Sequence, residues 1–244
     1  MTCRVRIAAT AEGSGTVLEE LAGTEPWRPR ILAGARDRAG LAARVALVQS
    51  RASILRGDDV ELSVRVGEGA VLELVEVGAT LTHDARGGAP ARISVDIAVQ
   101  GGGRLTWLGM PLIVARGADV RRTTHVELAE RGHVLLGETI VLGRAREECG
   151  ALTARTRIVC DGRPTVDETL ETGEISTLHS PVVAGEARVV AALTLAGIRD
   201  RDPPAEAMQA HGPATLWRAT GTATELARCA APIADRWRRV LAIP

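Results

Sequence analysis

The sequence alternates apolar and polar residues over long stretches, which restricts the chain to a β-rich fold more than any other feature. In residues 60–66 and 93–99 every second side chain is apolar, the pattern of a β-strand with one buried face. The same break of three residues follows three such segments, 33 and 29 residues apart, at Val66, Val99 and Leu128. A strand, a tight turn and a second strand at a period of ~30 residues predict stacked coils, as in a β-helix. A β-sandwich with regular turns is the alternative.

Composition indicates one large domain with an aliphatic core. The chain has 244 residues, 45% of them hydrophobic, with no Phe or Tyr and four Trp, so Val, Leu, Ile and Ala must fill the interior. All 30 basic residues are Arg, matched by 30 acidic residues. Codon bias of a GC-rich bacterial genome explains the Arg content. The zero net charge indicates neither nucleic acid nor a membrane surface as a partner.

Targeting and cysteine patterns indicate a cytoplasmic protein. No apolar run approaches the ~20 residues that span a bilayer, and the first residues lack a basic and then apolar signal sequence. The cysteines are scattered and include no CxxC pair, which predicts neither a zinc knuckle nor a disulfide framework.

The C-terminal part carries the helix signals. We predict a β-rich domain over residues 1–200 and a helical segment over 201–244 that packs on the same domain. Within that segment, 205–210 fit a short helix and 222–241 an amphipathic helix that Pro232 would kink or split. Its apolar stripe, which includes Leu226, Ile233 and Trp237, has two interpretations. It packs on its own domain, or those three residues form an interface with a partner.

No motif for catalysis or tight metal binding is present. The chain lacks the GxSxG, HExxH, P-loop and GxGxxG patterns, so we predict no catalytic residue. A zinc site needs convergent protein ligands, and the five histidines are isolated in sequence. His125 and His133 flank a predicted turn and could approach each other across a hairpin, although ordinary surface histidines are the preferred interpretation. We predict no tight metal site.

Three carboxylates are candidate site residues. Asp58 precedes the first regular strand, where an acidic residue commonly stabilises a turn. Glu138 interrupts the apolar run 134–142, so it must be exposed on one face, pair with an arginine such as Arg144, or line a polar cavity. Glu168 poses the same question within a second strand-like segment.

Ordered motifs resemble the UreD (UreH) family of urease accessory proteins. Residues 105–119 resemble the family's L-x-W-L-P-x-P-L-I-x-x-x-G-A signature, and residues 135–144 its L-L-x-E-x-x-x-L-G-R segment. The remaining motifs follow in the expected order, namely Gly57-Asp58, Gly78-Ala79-Thr80, Asp161-Gly162-Arg163-Pro164, Glu168 and Ser180-Pro181.

The sequence also departs from that pattern. Residues 50–56 replace a Gly-rich stretch, residues 75–81 replace T-T-Q-A-A-T-K, and Gly109 stands where the family usually has proline. The resemblance covers residues 40–195 and indicates a divergent, actinobacterial branch.

The resemblance implies a non-enzymatic scaffold with a β-helix-like fold and two small helical elements. Such proteins bind urease structural subunits on one side and UreF on the other, and the GTPase UreG joins through UreF and brings nickel. Asp58, Glu138 and Glu168 match acidic positions that could line a nickel path. The resemblance further implies that no cofactor is bound tightly and that Ni²⁺ is bound only in transit, for which scattered carboxylates suit better than a Cys/His cage.

Two other functions remain as alternatives. One is a β-rich interaction module without a metal role. The other is a β-helix polysaccharide hydrolase or lyase, which usually presents aromatic side chains and clustered carboxylates to a sugar. The scarcity of aromatic residues in this chain disfavours the second.

Overall fold

The computed structural model describes residues 1–37, 40–51, 53–173, 178–180 and 183–242. Pro181, part of one family motif, lies outside the described residues. The described strands and helix are as follows: β1 (Thr2–Glu12), β2 (Gly15–Gly23), β3 (Trp27–Asp37), β4 (Gly40–Gln49), β5 (Ser53–Ile54), β6 (Asp59–Val66), β7 (Val71–Glu76), β8 (Thr80–Thr82), β9 (Ala91–Val99), β10 (Arg104–Leu108), β11 (Leu112–Val114), β12 (Asp119–Leu128), β13 (His133–Leu142), β14 (Ala151–Cys160), β15 (Arg163–Glu171), β16 (Val189–Ala196), β17 (Ala207–Gln209), β18 (Ala214–Gly221) and α1 (Ala223–Leu241).

The strands form stacked coils, so the prediction of an all-β, β-helix-like fold is confirmed. One face of the stack consists of parallel strands β1, β6, β9, β12 and β14. Strand β2 pairs antiparallel with β1, and β15 with β14. The second face has parallel strands β4, β7, β10 and β13, and short strands β5, β8 and β11 lie beside its far end. Antiparallel strands β16, β18 and β17 continue this face beyond β13.

The turns between the two faces stack on one another and fix the coil period. Gln100 N donates to Val66 O at 2.8 Å, and Ala129 N donates to Val99 O at 2.9 Å. The left-handed position in these turns is held by Gly69 (φ 66°), Gly102 (φ 70°) and, in the third turn, Arg131 (φ 59°). Arg131 therefore occupies a conformation that costs a non-glycine residue ~1–2 kcal/mol. The three-residue breaks of the sequence are these turns.

The core lies between the two faces and consists of aliphatic rows that run along the stack. In one row the register aligns five β-branched residues, Ile7, Val64, Ile97, Val126 and Ile158, and each is at most 2% exposed. Each such side chain stabilises the fold by about 1.5–3 kcal/mol when fully buried. The alternation of apolar and polar residues therefore has two effects. It favours the strand conformation, and it brings the apolar side chains of successive coils into line.

The C-terminal segment differs from the prediction in two respects. Residues 205–210 do not form a helix, because β17 pairs there with β18 in an antiparallel hairpin. Backbone hydrogen bonds to an existing sheet therefore replace those of a short, marginal helix. Pro232 does not split α1, which continues to Leu241.

Helix α1 packs on the second face, so the prediction that its apolar stripe forms an interface with a partner is wrong. A capping box of Thr222 and Glu225 begins the helix. Leu226, Ile233 and Trp237 are 5%, 7% and 0% exposed, in a cluster with residues of β13, β16 and β18. They are therefore core residues rather than an exposed interface, because the stripe covers the outer side of the sheet. In the part of the chain that the structure describes, no helix is both long and apolar enough to cross a bilayer.

Candidate functional site

A charged side chain lies between the two faces of the stack at Glu138. The period of two along β13 places Glu138 on the same side as Leu136 and Ile140, which belong to the main core. Its side chain is 22% exposed. A carboxylate in this position needs compensating partners, since its removal from water is unfavourable.

Two residues of the opposite face provide those partners. Arg122 of β12 places Nη2 3.0 Å from Glu138 Oε1, and Thr156 of β14 donates from Oγ1 to Glu138 Oε2 at 2.8 Å. The prediction that Arg144 pairs with Glu138 is wrong, because Arg144 pairs with Glu147, three residues away in the loop after β13. Since β12 and β13 belong to opposite faces, the Arg122–Glu138 pair bridges the interior.

A second carboxylate, Glu76, lies close to this pair at the end of β7. Glu76 Oε1 accepts from Trp107 Nε1 at 3.0 Å, and Oε2 accepts from Met110 N at 3.1 Å. Burial raises the pKa of Glu76 above its usual value of 4.5, and the nearby Glu138 adds to the rise, whereas Arg122 and the two hydrogen bonds oppose it. Glu76, Arg122 and Glu138 are therefore electrostatically coupled.

Gly109 lies close to Glu76 and to the backbone of β13. A Cβ at this position would lie 3.4 Å from Glu76 Oε1 and 3.1 Å from Gly137 O. Gly109 N donates to Gly137 O at 2.9 Å, which holds this backbone against β13 beside Glu138. The departure from proline noted in the sequence therefore lies beside Glu76 and next to the residue that precedes Glu138.

Small cavities lie on both sides of the Arg122–Glu138 pair. One, of about 20 Å³, is lined by residues that include Trp27, Glu76 and Arg122. The other, of about 160 Å³, is lined by Glu138, Thr156, Glu168 and Arg218 together with apolar side chains. The structure thus brings Glu138 and Glu168, two of the three predicted site residues, to one cavity.

Glu168 closes the far side of the larger cavity with an ion pair of its own. Arg218 of β18 donates to both carboxylate oxygens of Glu168, from Nε at 3.1 Å and from Nη2. The same guanidinium donates to Leu193 O at 2.8 Å and to Thr194 Oγ1 at 2.9 Å. Arg218 is thereby held in place, and it positions Glu168 opposite Glu138.

Polar atoms without partners lie along the same line. Trp27 Nε1, Arg122 Nε and Thr124 Oγ1 are buried and have no hydrogen-bond partner among the described residues. Buried polar groups are normally satisfied by protein, water or a ligand. Their position beside Glu76 and Glu138 marks this strip of the interior as polar rather than as part of the aliphatic core.

Asp58, the third predicted site residue, lies at a different place. Its carboxylate accepts from the amino group of Met1 at 3.1 Å, from Arg51 Nη2 at 2.5 Å and from Leu55 N at 3.0 Å. It is 6% exposed. These contacts tie the N-terminus and the loop before β6 together, which agrees with turn chemistry, and Asp58 does not line the cavity that Glu138 and Glu168 share.

The histidines do not converge. Strands β12 and β13 belong to opposite faces and form no hairpin, so His125 and His133 do not meet across one. His125 Nε2 lies 3.2 Å from Glu127 Oε1, on an exposed surface. Among the described residues no group of three or more His, Cys, Asp or Glu side chains could hold a metal ion.

Sequence reasoning missed Glu76, Arg122 and Thr156, although a signal was present. Glu76 continues the inward period of Leu72 and Leu74, and Arg122 lies between the inward residues Val120 and Thr124. If the period of two had been followed along β7 and β12, these charged residues would have been found at inward positions.

The profile of the family described as UreD urease accessory protein matches residues 2–242. Urease accessory protein UreD 1 of Streptomyces griseus is 42% identical over 200 residues, covering 81% of this chain and 76% of its own length. UreD 1 of Saccharopolyspora erythraea is 36% identical over 206 residues (84% and 80%). UreD of Streptomyces coelicolor is 36% identical over 240 residues (97% and 92%).

The match along almost the whole chain, which spans the stacked β-coils and α1, places the protein in the class of accessory proteins. The chain belongs to the UreD urease accessory protein family, and the resemblance seen in the sequence motifs is confirmed.

Proposed function

We propose that this protein is a cytoplasmic urease maturation factor that binds urease apoprotein and UreF, is joined by UreG through UreF, and assists nickel insertion. The observation that carries the nickel part is the line of carboxylates that runs from Glu76 and Glu138 in the interior to Glu168, whose side chain is 42% exposed. A carboxylate between two β-sheets has no role in building an aliphatic core. Its retention there is consistent with a path for a cation.

The chemistry of the line suits transit rather than storage. Hard carboxylate and hydroxyl oxygens bind Ni²⁺ less tightly than imidazole or thiolate. Each of Glu138 and Glu168 is also neutralised by an arginine, Arg122 and Arg218 respectively. An arriving Ni²⁺ would compete with the guanidinium group for the same oxygens, so each stop along the path would hold the ion only weakly.

The polysaccharide enzyme is not favoured by the structure. The four Trp residues are the whole aromatic supply of the chain, and all of them are buried, at 5% exposure or less. A sugar-binding groove needs exposed aromatic faces. Glu138 also lies between the sheets instead of in an open groove.

Urease activation in a strain lacking its own UreD tests the nickel proposal. Glu138→Gln and Glu76→Gln keep side-chain size and should lower nickel content and urease activity at least tenfold. The matched control Glu127→Gln changes an exposed carboxylate of β12 and should activate normally. Full activation by both interior variants would refute the carboxylate path.

A pull-down distinguishes the binding of partner proteins from the proposed nickel path. The wild-type chain and Glu138→Gln should both recover urease subunits and UreF, because the substitution lies inside the stack. Recovery of neither partner by the wild-type chain would refute the maturation role and leave the interaction module as the better assignment.

A further inference from the structure

A third cavity, of about 780 Å³, lies at the turn end of the coils and is separate from the carboxylate line. The stacked turns contribute Gly69, Gly102 and Arg131, and the segment 198–202 after β16 forms the adjacent wall. Helix α1 closes it with Arg236 and Val240. We call this cavity the turn-end groove. Its volume lies within the ~300–1,000 Å³ of typical small-molecule sites.

The groove has an excess of positive charge. Its lining includes five arginines, Arg104, Arg131, Arg199, Arg201 and Arg236, and three acidic residues, Glu68, Asp200 and Asp202. Arg236 engages both aspartates, with Nε 2.5 Å from Asp200 Oδ2 and Nη2 3.5 Å from Asp202 Oδ2. In contrast, Arg104, Arg131 and Arg201 form no ion pair with any carboxylate in the described ranges.

Arg104 and His133 line the groove and carry buried nitrogen atoms without hydrogen-bond partners among the described residues. They are register partners on the adjacent strands β10 and β13. Arg104 Nε and Nη1 and His133 Nδ1 are buried, and each lacks a hydrogen-bond partner within the described part of the chain. Unpaired buried donors are costly. A guanidinium group presents its donors in a planar fork that fits the oxygens of a carboxylate or phosphate.

The titration of His133 agrees with this environment. Burial lowers the pKa of His133 below 6.5, and the positive charge of Arg104 lowers it further. The imidazole is therefore neutral near pH 7 and can donate one hydrogen bond without adding charge. A negative ligand beside it would reverse part of this effect.

We propose that the turn-end groove binds a small multivalent oxyanion, of the phosphate-ester or polycarboxylate class, with Arg104 as its central donor and Arg131 and Arg201 at its rim. Three guanidinium groups without carboxylate partners match a ligand that carries two or more negative charges. The site is independent of the nickel path, because it lies outside the stack, between the turns and α1.

Isothermal titration of the full chain with pyrophosphate and, separately, with citrate tests the proposal. Saturable binding of either anion is expected, and it should weaken as NaCl is raised. Tighter pyrophosphate binding assigns the phosphate class, and tighter citrate binding assigns the polycarboxylate class. Absence of saturable binding for both anions would overturn the proposal.

Variants locate the site. Arg104→Met should weaken anion binding at least tenfold, whereas Arg92→Met, which removes an exposed arginine from β9, should bind as the wild type does. Arg201→Gln alters an exposed residue, and it should weaken binding several-fold. Unchanged affinity in both Arg104→Met and Arg201→Gln would overturn the assignment.

A stability measurement distinguishes binding from a structural role for Arg104. Without anion, Arg104→Met should melt no lower than the wild type, because the substitution removes buried donors that lack partners. Pyrophosphate or citrate should raise the melting temperature of the wild type and leave that of Arg104→Met unchanged. An equal rise in both proteins would place the anion elsewhere and contradict the proposal.

Discussion

Arg122 and Glu138 form an ion pair across the interior of the coil stack, with 3.0 Å between Arg122 Nη2 and Glu138 Oε1. The two side chains come from opposite faces, and they are 13% and 22% exposed. The pair therefore links the faces through a polar contact, unlike the aliphatic row that contains Ile97 and Val126.

Removal of one partner of this pair should destabilise the fold more than removal of both. Arg122→Met leaves Glu138 without its cation, and we expect a loss of about 3 kcal/mol, the low end for a buried pair because both groups keep some contact with water. The double variant Arg122→Met/Glu138→Gln should recover part of that loss. Urea unfolding of the four proteins of the cycle measures the coupling free energy, and additive losses would show that the pair does not interact.

The raised pKa of Glu76 predicts the direction of a pH effect on stability. The folded state binds a proton at Glu76 more tightly than the unfolded state, whose pKa is near the usual 4.5. The contribution of Glu76 is therefore fully present below that value and is lost as pH rises through the raised pKa.

Glu76→Gln should remove this dependence. We expect the variant to lose less stability than the wild type between pH 4.5 and neutrality, as measured by the free energy of unfolding at a series of pH values. Glu127→Gln, at an exposed position, is the control and should follow the wild type. A steeper fall in Glu76→Gln than in the wild type would contradict the assignment.

Trp237 should behave as a core residue and not as part of an interface. It is 0% exposed, and its Nε1 donates to Asp200 Oδ2 at 3.1 Å. Trp237→Ala should cost about 3–5 kcal/mol of stability, as measured by chemical denaturation of the isolated chain. Arg239→Ala, on the same helix, should change stability by less than ~0.5 kcal/mol. A stable Trp237→Ala protein that loses partner binding would restore the interface interpretation.

Gly197 should tolerate no side chain, because two effects combine there. Its φ is 84°, and a Cβ would lie 2.0 Å from Gly132 O, in the turn between β12 and β13. Gly162 has a φ of 70° but has no atom within 4 Å of such a Cβ. Gly162→Ala should therefore cost only the ~1–2 kcal/mol of a left-handed conformation. Gly197→Ala should cost clearly more in urea unfolding, and equal losses would show that the close approach is relieved at no cost.

The fold could be predicted because its information is local and repeated. Each strand shows a period of two, and each coil ends in a similar break, so equal positions of successive coils stack in register. The conformation of residues 205–210 could not be predicted from local periodicity, because it depends on β18. That strand offers hydrogen bonds only after the sheet has formed.

The candidate site could be predicted only in part. Glu138 was recognisable, since one charge interrupts an apolar run. Its partner was not, because Arg122 lies 16 residues earlier on the opposite face, whereas the nearer Arg144 turns to Glu147. Asp58 was grouped with Glu138 by family resemblance, yet its carboxylate is held by Met1, Arg51 and Leu55 at the edge of the stack.

The sequence by itself determined the strands, the coil period, the family and the fact that one carboxylate interrupts the apolar run of β13. Only the tertiary structure decided what that carboxylate meets, because ion pairs and cavities depend on which strands lie opposite each other across the interior. The tertiary structure also decided that the apolar stripe of α1 is covered. Hydrophobic periodicity shows that a face must be buried, but the burying surface is set by the whole sheet.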